Sequence, residues 1–193
     1  MFVDDPEMTE HLRARTEAVK SAEGFSMRWV RLWGWIPEVE EVFRQARMKL
    51  DQTTTLTPRE RAVIVCATVS GLGDSYCSLA WGRKLASLSD AKLPAELIKT
   101  GNANALSSRE RALAAWSRRV VASSSATTRE EVQALRAAGL TEREIVEATT
   151  LVAFRVAFAM VNGALGAQPD GALGELVPAE VREAVTFGRP IGD

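Results

Sequence analysis

Apolar residues recur along this chain at the three- and four-residue spacing of amphipathic helices, and strand signals are weak throughout. No Asn-Gly or Asp-Gly turn joins two alternating apolar runs, and Asp170-Gly171 lies in a loop-like stretch, so an all-α fold is predicted. Residues 7–20 read as a polar helix, and residues 27–35 carry Trp29, Leu32, Trp33 and Trp35. A helix over 37–50 puts Val39, Val42, Phe43, Ala46 and Leu50 on one face. Thr57-Pro58-Arg59-Glu60 is a capping box with proline at the first helical position. The helix it opens, to about residue 70, is apolar on every side, which predicts a central, enclosed element. Gly71 and Gly73 end it, and a further helix starts near Asp74 or Ser75 and runs to about residue 88. A short helix over 90–100 is closed by Gly101. Three more caps begin at Ser107, Thr128 and Thr141, the last opening a long helix to about residue 165. A short helix is expected over 179–186.

Residues 148–166 are almost wholly apolar, with Arg155 at their middle. A charge there opposes membrane insertion by about 2.5–3.5 kcal/mol, so the segment reads as a buried core helix. Arg59-Glu60-Arg61-Ala62 recurs as Arg109-Glu110-Arg111-Ala112. A duplicated helical unit and two caps built independently from common helix formers both account for this. No linker divides the chain. Residues 1–26 form a polar N-terminal segment, 27–166 the helical domain, and 167–193 a tail with a short helix.

The 193 residues are 46% apolar and 25% charged, enough for one cored domain. A net charge of −1 gives no footprint for nucleic acid or an anionic membrane. Two cysteines, Cys66 and Cys77, form no disulfide framework and fit a reducing, cytoplasmic setting, and the start of the chain lacks the pattern of a signal peptide. With one histidine, His11, and no Cys-x-x-Cys, no metal site is expected. Gly71-Leu72-Gly73 does not continue into a phosphate-binding loop, and no cofactor is expected.

The segment suited to chemistry is Asp74-Ser75-Tyr76-Cys77, at the start of a helix. Free N–H groups there lower a thiol pKa and make Cys77 a candidate nucleophile, although the charge of Asp74 opposes this. Asp74 is also a natural N-cap, and Cys77 also reads as a small buried hydrophobe. Trp81 comes one turn after Cys77, on the same face, and with Tyr76 is a candidate for a pocket wall. Arg155 needs a partner: a structural ion pair with Asp74, Glu60 or a neighbouring subunit, or else a ligand carboxylate. Asn162 and Arg83 are weaker polar candidates. The runs 109–111 and 118–119 read as solvated faces.

An enclosed apolar helix, a Gly-containing turn and Asp-Ser-Tyr-Cys before a second helix resemble the carboxymuconolactone decarboxylase and alkylhydroperoxidase D-like superfamily. Residues 106–113 resemble the opening of the family's second half, as do 132–148, which are similar to its peroxidase-related branch in particular, and the likeness covers about 27–166. It implies an oligomeric helical bundle that acts on small molecules. In redox members it also implies a Glu on the enclosed helix, a Cys-x-x-Cys at the turn and a His four residues later. Those positions hold Ala62, Asp74, Cys77 and Trp81 here, so only Cys77 matches. The resemblance then implies an enzyme with altered chemistry. One form is a single-Cys peroxidase-like site resolved by an external thiol. The other is a cofactor-free lyase, decarboxylase or isomerase, with Asp74 as acid or base and Arg155 holding a carboxylate. The alternative is a non-catalytic binding or scaffold protein.

Overall fold

The computed structural model describes residues 1–192, and its described part contains eleven α-helices, one 3-10 turn and no strand. The chain enters through α1 (Glu10–Glu23), capped by Thr9 and closed by Gly24, and a short α2 (Trp29–Trp33). The helices α3 (Pro37–Thr53), α4 (Pro58–Gly71), α5 (Ser75–Ala86) and α6 (Lys92–Thr100) come next along the chain. They lead into α7 (Ser108–Ser123), α8 (Arg129–Ala137) and α9 (Glu142–Ala164). The tail adds α10 (Gly171–Leu176) and α11 (Ala179–Ala184).

The four boxes read from sequence all form: Thr57 with Glu60, Ser107 with Glu110, Thr128 with Glu131 and Thr141 with Glu144. Each satisfies two backbone donors that the first helical turn would otherwise leave open. Every residue of α4 from Ala62 to Val69 is fully buried, and α5, α6, α7 and α9 surround it. Each of its Val and Ile side chains contributes about 1.5–3 kcal/mol by leaving water.

The two echoed segments meet and exchange partners. Arg59 Nε donates to Glu110 at 2.6 Å, and Arg109 Nε donates to Glu60 at 2.5 Å. Arg109 also reaches Glu144 at 2.5 Å and the Gly139 carbonyl at 2.6 Å. Arg111 and Arg118 likewise bind the Leu106 carbonyl and Ser70 Oγ. The expectation of solvated faces is therefore corrected at these arginines. All three are half-buried, and their planar donor forks reach side-chain and carbonyl acceptors on neighbouring segments.

The α3 face is corrected too. Phe43 and Leu50 are half-buried, but Val39 and Val42 are 54% and 67% exposed and Ala46 is exposed. The inward side of α3 is narrower than its apolar stripe, because it rests on α9 through Phe43 against Phe154 and Arg47 against Phe158. The tail is more ordered than its Gly- and Pro-rich composition suggests, with Leu173 and Val181 fully buried. Gly82 lets α11 approach α5 closely, since a Cβ there would meet Val181 Cγ1 at 2.4 Å. Among the described residues no helix is long and apolar enough to cross a membrane.

Candidate functional site

The turn between α4 and α5 is shaped by Gly73, at φ 70°, a conformation that side chains with a Cβ rarely adopt. It leaves Asp74 extended as the N-cap of α5, and Asp74 Oδ1 accepts from the Cys77 N–H at 3.2 Å. The other carboxylate oxygen is buried without a hydrogen bond. Burial raises the Asp74 pKa, and contacts with Cys77 and Tyr76 only partly oppose this.

Cys77 is buried, and its thiol is pushed well above its ordinary pKa, first by burial and then by the neighbouring Asp74 carboxylate. Arg155 and Arg47 pull in the other direction without prevailing. The expected lowering by the helix N-terminus is thus reversed, and the thiol is protonated at neutral pH. Cys66 is enclosed within α4, and burial raises its thiol as well.

Beside Cys77 lies a cavity of about 490 Å³, within the size range of small-molecule sites. Cys77, Tyr76, Trp81 and Arg155 all line it, while Asp74 does not and stands behind the thiol. Met27, Trp29, Phe158 and Leu173 add apolar wall. Tyr76 contributes its ring only, because its hydroxyl donates to the buried Asp170 carboxylate. That carboxylate also accepts the Arg28 N–H at 3.2 Å, which ties the tail to α2 and α5. Burial, then the charge of Asp170, raises the Tyr76 pKa.

Arg155 lies over the Trp81 ring at 4.4 Å and forms no ion pair with Asp74 or Glu60. Its Nε is buried without a hydrogen-bond partner, and burial together with the charge of Arg47 lowers its pKa to about 10. The intrachain ion pair considered from sequence is therefore absent: Glu60 is taken by Arg109 and its own cap, and Asp74 by α5.

Arg47 is the cavity residue that sequence reasoning missed. It sits over Phe158 at 5.1 Å and Phe43 at 5.3 Å, with its Nε also buried and unpartnered. The available signal was its position one turn after Phe43 and three residues before Leu50, on the inward side of α3. Arg83, Lys84 and Glu23 stand on the cavity lining, where Glu23 pairs with Arg83 at 3.5 Å. Cations therefore outnumber carboxylates around the cavity. Asn162 is structural: its Oδ1 accepts from Trp33 Nε1 at 2.9 Å. Among the described residues no group of three or more His, Cys, Asp or Glu side chains is placed to hold a metal ion.

The helical arrangement defines the alkylhydroperoxidase D-like fold. No protein-family model and no curated protein sequence matches the chain. Among solved structures, the chain is similar to a peroxidase-related protein with an alkylhydroperoxidase AhpD core from Ralstonia eutropha JMP134. The TM-score is 0.81 at 21% identity, over 89% of this chain and 93% of that one. A peroxidase-related protein from Silicibacter sp. TM1040 gives 0.82 at 19% identity over the same shares. A cysteine-to-alanine variant of the debrominase Bmp8, in complex with 2,3,4-tribromopyrrole, gives 0.74 at 15% identity over 96% of both chains. Within this fold, the position where the resemblance would put a glutamate is Ala62, which is fully buried and off the cavity wall.

Proposed function

We propose that the cavity binds a small organic carboxylate and that the chain is an enzyme acting on it by proton transfer, as an isomerase, lyase or decarboxylase without a cofactor. The observation that carries this reading is the Arg155 guanidinium: on the cavity wall, its Nε unpartnered, beside a protonated thiol. A guanidinium matches a carboxylate in charge and in its forked geometry, and Arg47 adds a second cation. In the decarboxylase form the C–C bond to the carboxylate breaks, CO₂ leaves, and the electron pair left on carbon takes the Cys77 proton; the buried Asp74 beside the thiol holds it protonated at rest. The thiolate left after transfer recovers its proton from water. Self-association, which the resemblance implies, is proposed separately and does not depend on the ligand.

Small carboxylates with apolar bodies, titrated by calorimetry and then incubated in D₂O, test this reading by NMR. Binding that weakens in Arg155→Met, with deuterium incorporation lost in Cys77→Ser, supports it. A panel in which no carboxylate binds overturns it, and binding without deuterium incorporation or turnover leaves a non-catalytic binding protein.

A second reading is single-thiol chemistry on a peroxide or a halogenated small molecule. It is supported by the place of Cys77 on the cavity wall and by the likeness to peroxidase-related proteins and a debrominase. Its test is peroxide consumption in excess dithiol, lost in Cys77→Ala. The raised thiol pKa weighs against it, because thiolate is the reactive form.

A further inference from the structure

The outer surface of α3 and α9 is unusually apolar. On α9, Val146 and Met160 are 64% and 62% exposed, and the exposed Ala153 and Ala157 lie between them at heptad spacing. Beside them, α3 exposes Val39, Val42 and Ala46, with Trp35 and Ile36 at its start. The two helices run antiparallel, since Arg143 binds the Thr53 carbonyl at one end and Trp33 stacks on Phe158 near the other. Glu40, on the opposite flank of α3, is covered by Arg15 of α1, so the exposed flank is the one that continues the α9 stripe. The result is one face about 21 Å long at 1.5 Å per residue.

The six large exposed side chains of this face carry about 600–700 Å² of accessible surface. That lies at or above the top of the roughly 300–600 Å² range for a typical monomer's largest apolar patch and approaches the ~800 Å² per partner of a standard interface. Its edge is self-complementary in charge. Glu38, Val42, Gln45 and Lys49 form one line along α3, and neither Glu38 nor Lys49 makes an ion pair among the described residues. A two-fold axis crossing α3 between Val42 and Gln45 brings Glu38 of one copy to Lys49 of the other.

We propose that the α3–α9 face is the surface on which a second copy of this chain docks, with α3 crossing α3 antiparallel about that two-fold axis. An isologous interface needs a patch that complements itself, and an apolar stripe with opposite charges at equal distances from its centre meets that need. The cavity arginines Arg47 and Arg155 project from the inner sides of the same two helices, so docking braces the elements that set their spacing. This proposal stands independently of the ligand reading.

Sedimentation equilibrium tests it. The wild-type chain is expected at twice its 21.0 kDa mass or a multiple of that, and Val42→Glu at 21.0 kDa with an unchanged circular dichroism spectrum. Glu38→Lys and Lys49→Glu are each expected to weaken association several-fold, and the two combined to restore it. That recovery separates docking from misfolding, including the case in which Val42→Glu does not fold. A wild-type chain that stays monomeric at micromolar concentration overturns the proposal, as does a folded Val42→Glu protein that keeps the wild-type mass. A double variant as weak as the single ones overturns the antiparallel pairing.

Discussion

Replacing Arg155 with methionine separates a cation kept for a ligand from a cation kept for the fold. Burial first, and the charge of Arg47 second, bring the guanidinium down from its ordinary value to about 10. At about 1.4 kcal/mol for each pKa unit, keeping the group charged costs about 3 kcal/mol. The guanidinium is protonated in the folded and unfolded chain at pH 7, so this cost is fully present there. It is relieved only as pH rises above about 10. Stacking on Trp81 at 4.4 Å offsets it by about 1–2 kcal/mol. Methionine keeps most of the length and adapts to the space, so Arg155→Met is expected to gain about 1–2 kcal/mol. In a chain of this size that is a rise of roughly 2–8 °C in the unfolding midpoint. Urea unfolding at pH 7, with the slope unchanged, reads the gain directly. Carboxylate affinity is expected to fall in the same variant by about 10- to 100-fold, the value of a charge-assisted hydrogen bond. A variant that instead loses 1 kcal/mol or more refutes the reasoning, because the guanidinium would then be stabilised by the fold.

Asp74→Asn keeps a good N-cap but removes the negative charge beside Cys77, so alkylation by iodoacetamide at pH 8 is expected to quicken by about tenfold for each unit the thiol pKa falls; an unchanged rate refutes the coupling. Arg109→Met strands Glu60 and Glu144 and is expected to lose about 2–4 kcal/mol in denaturant unfolding. The Glu144 carboxyl is held down to about 2, since the Thr141 cap and Arg109 outweigh its burial. Its contribution to stability is therefore complete above about pH 4.5 and lost as pH falls toward 2, and Glu144→Gln should flatten that limb of the stability curve. Gly82→Ala is expected to lose about 1–3 kcal/mol by overpacking against Val181, with much of that recovered in Gly82→Ala/Val181→Ala.

The helices were legible because caps and periodicity are local. Thr57-Pro58-Arg59-Glu60 and its counterparts announce themselves within four residues, and the uniformly apolar α4 has only one place to go in a bundle. Cys77, Tyr76, Trp81 and Arg155 were each marked by type and position, and the cavity lining includes all four. Arg47 was not marked, because its role comes from aromatic rings on its own helix and on α9 that sequence spacing cannot pair. The thiol pKa was misjudged for a related reason: a helix N-terminus is a local feature, whereas the burial that outweighs it is set by the packing around α5. The exposed valines of α3 look like core residues in sequence, since periodicity reports an apolar face without saying which molecule covers it.

The exchange of Arg59 with Glu110 and of Arg109 with Glu60 has a kinetic consequence. Each salt bridge joins the first turn of α4 to the first turn of α7, and each carboxylate also closes its own cap. Neither helix can fray at its start without releasing a partner from the other. Amide protons at Arg61 and Arg111, which donate to the cap carbonyls of Thr57 and Ser107, should therefore exchange with solvent through one shared opening. Their protection factors should agree, and one substitution at Arg59 should lower both together.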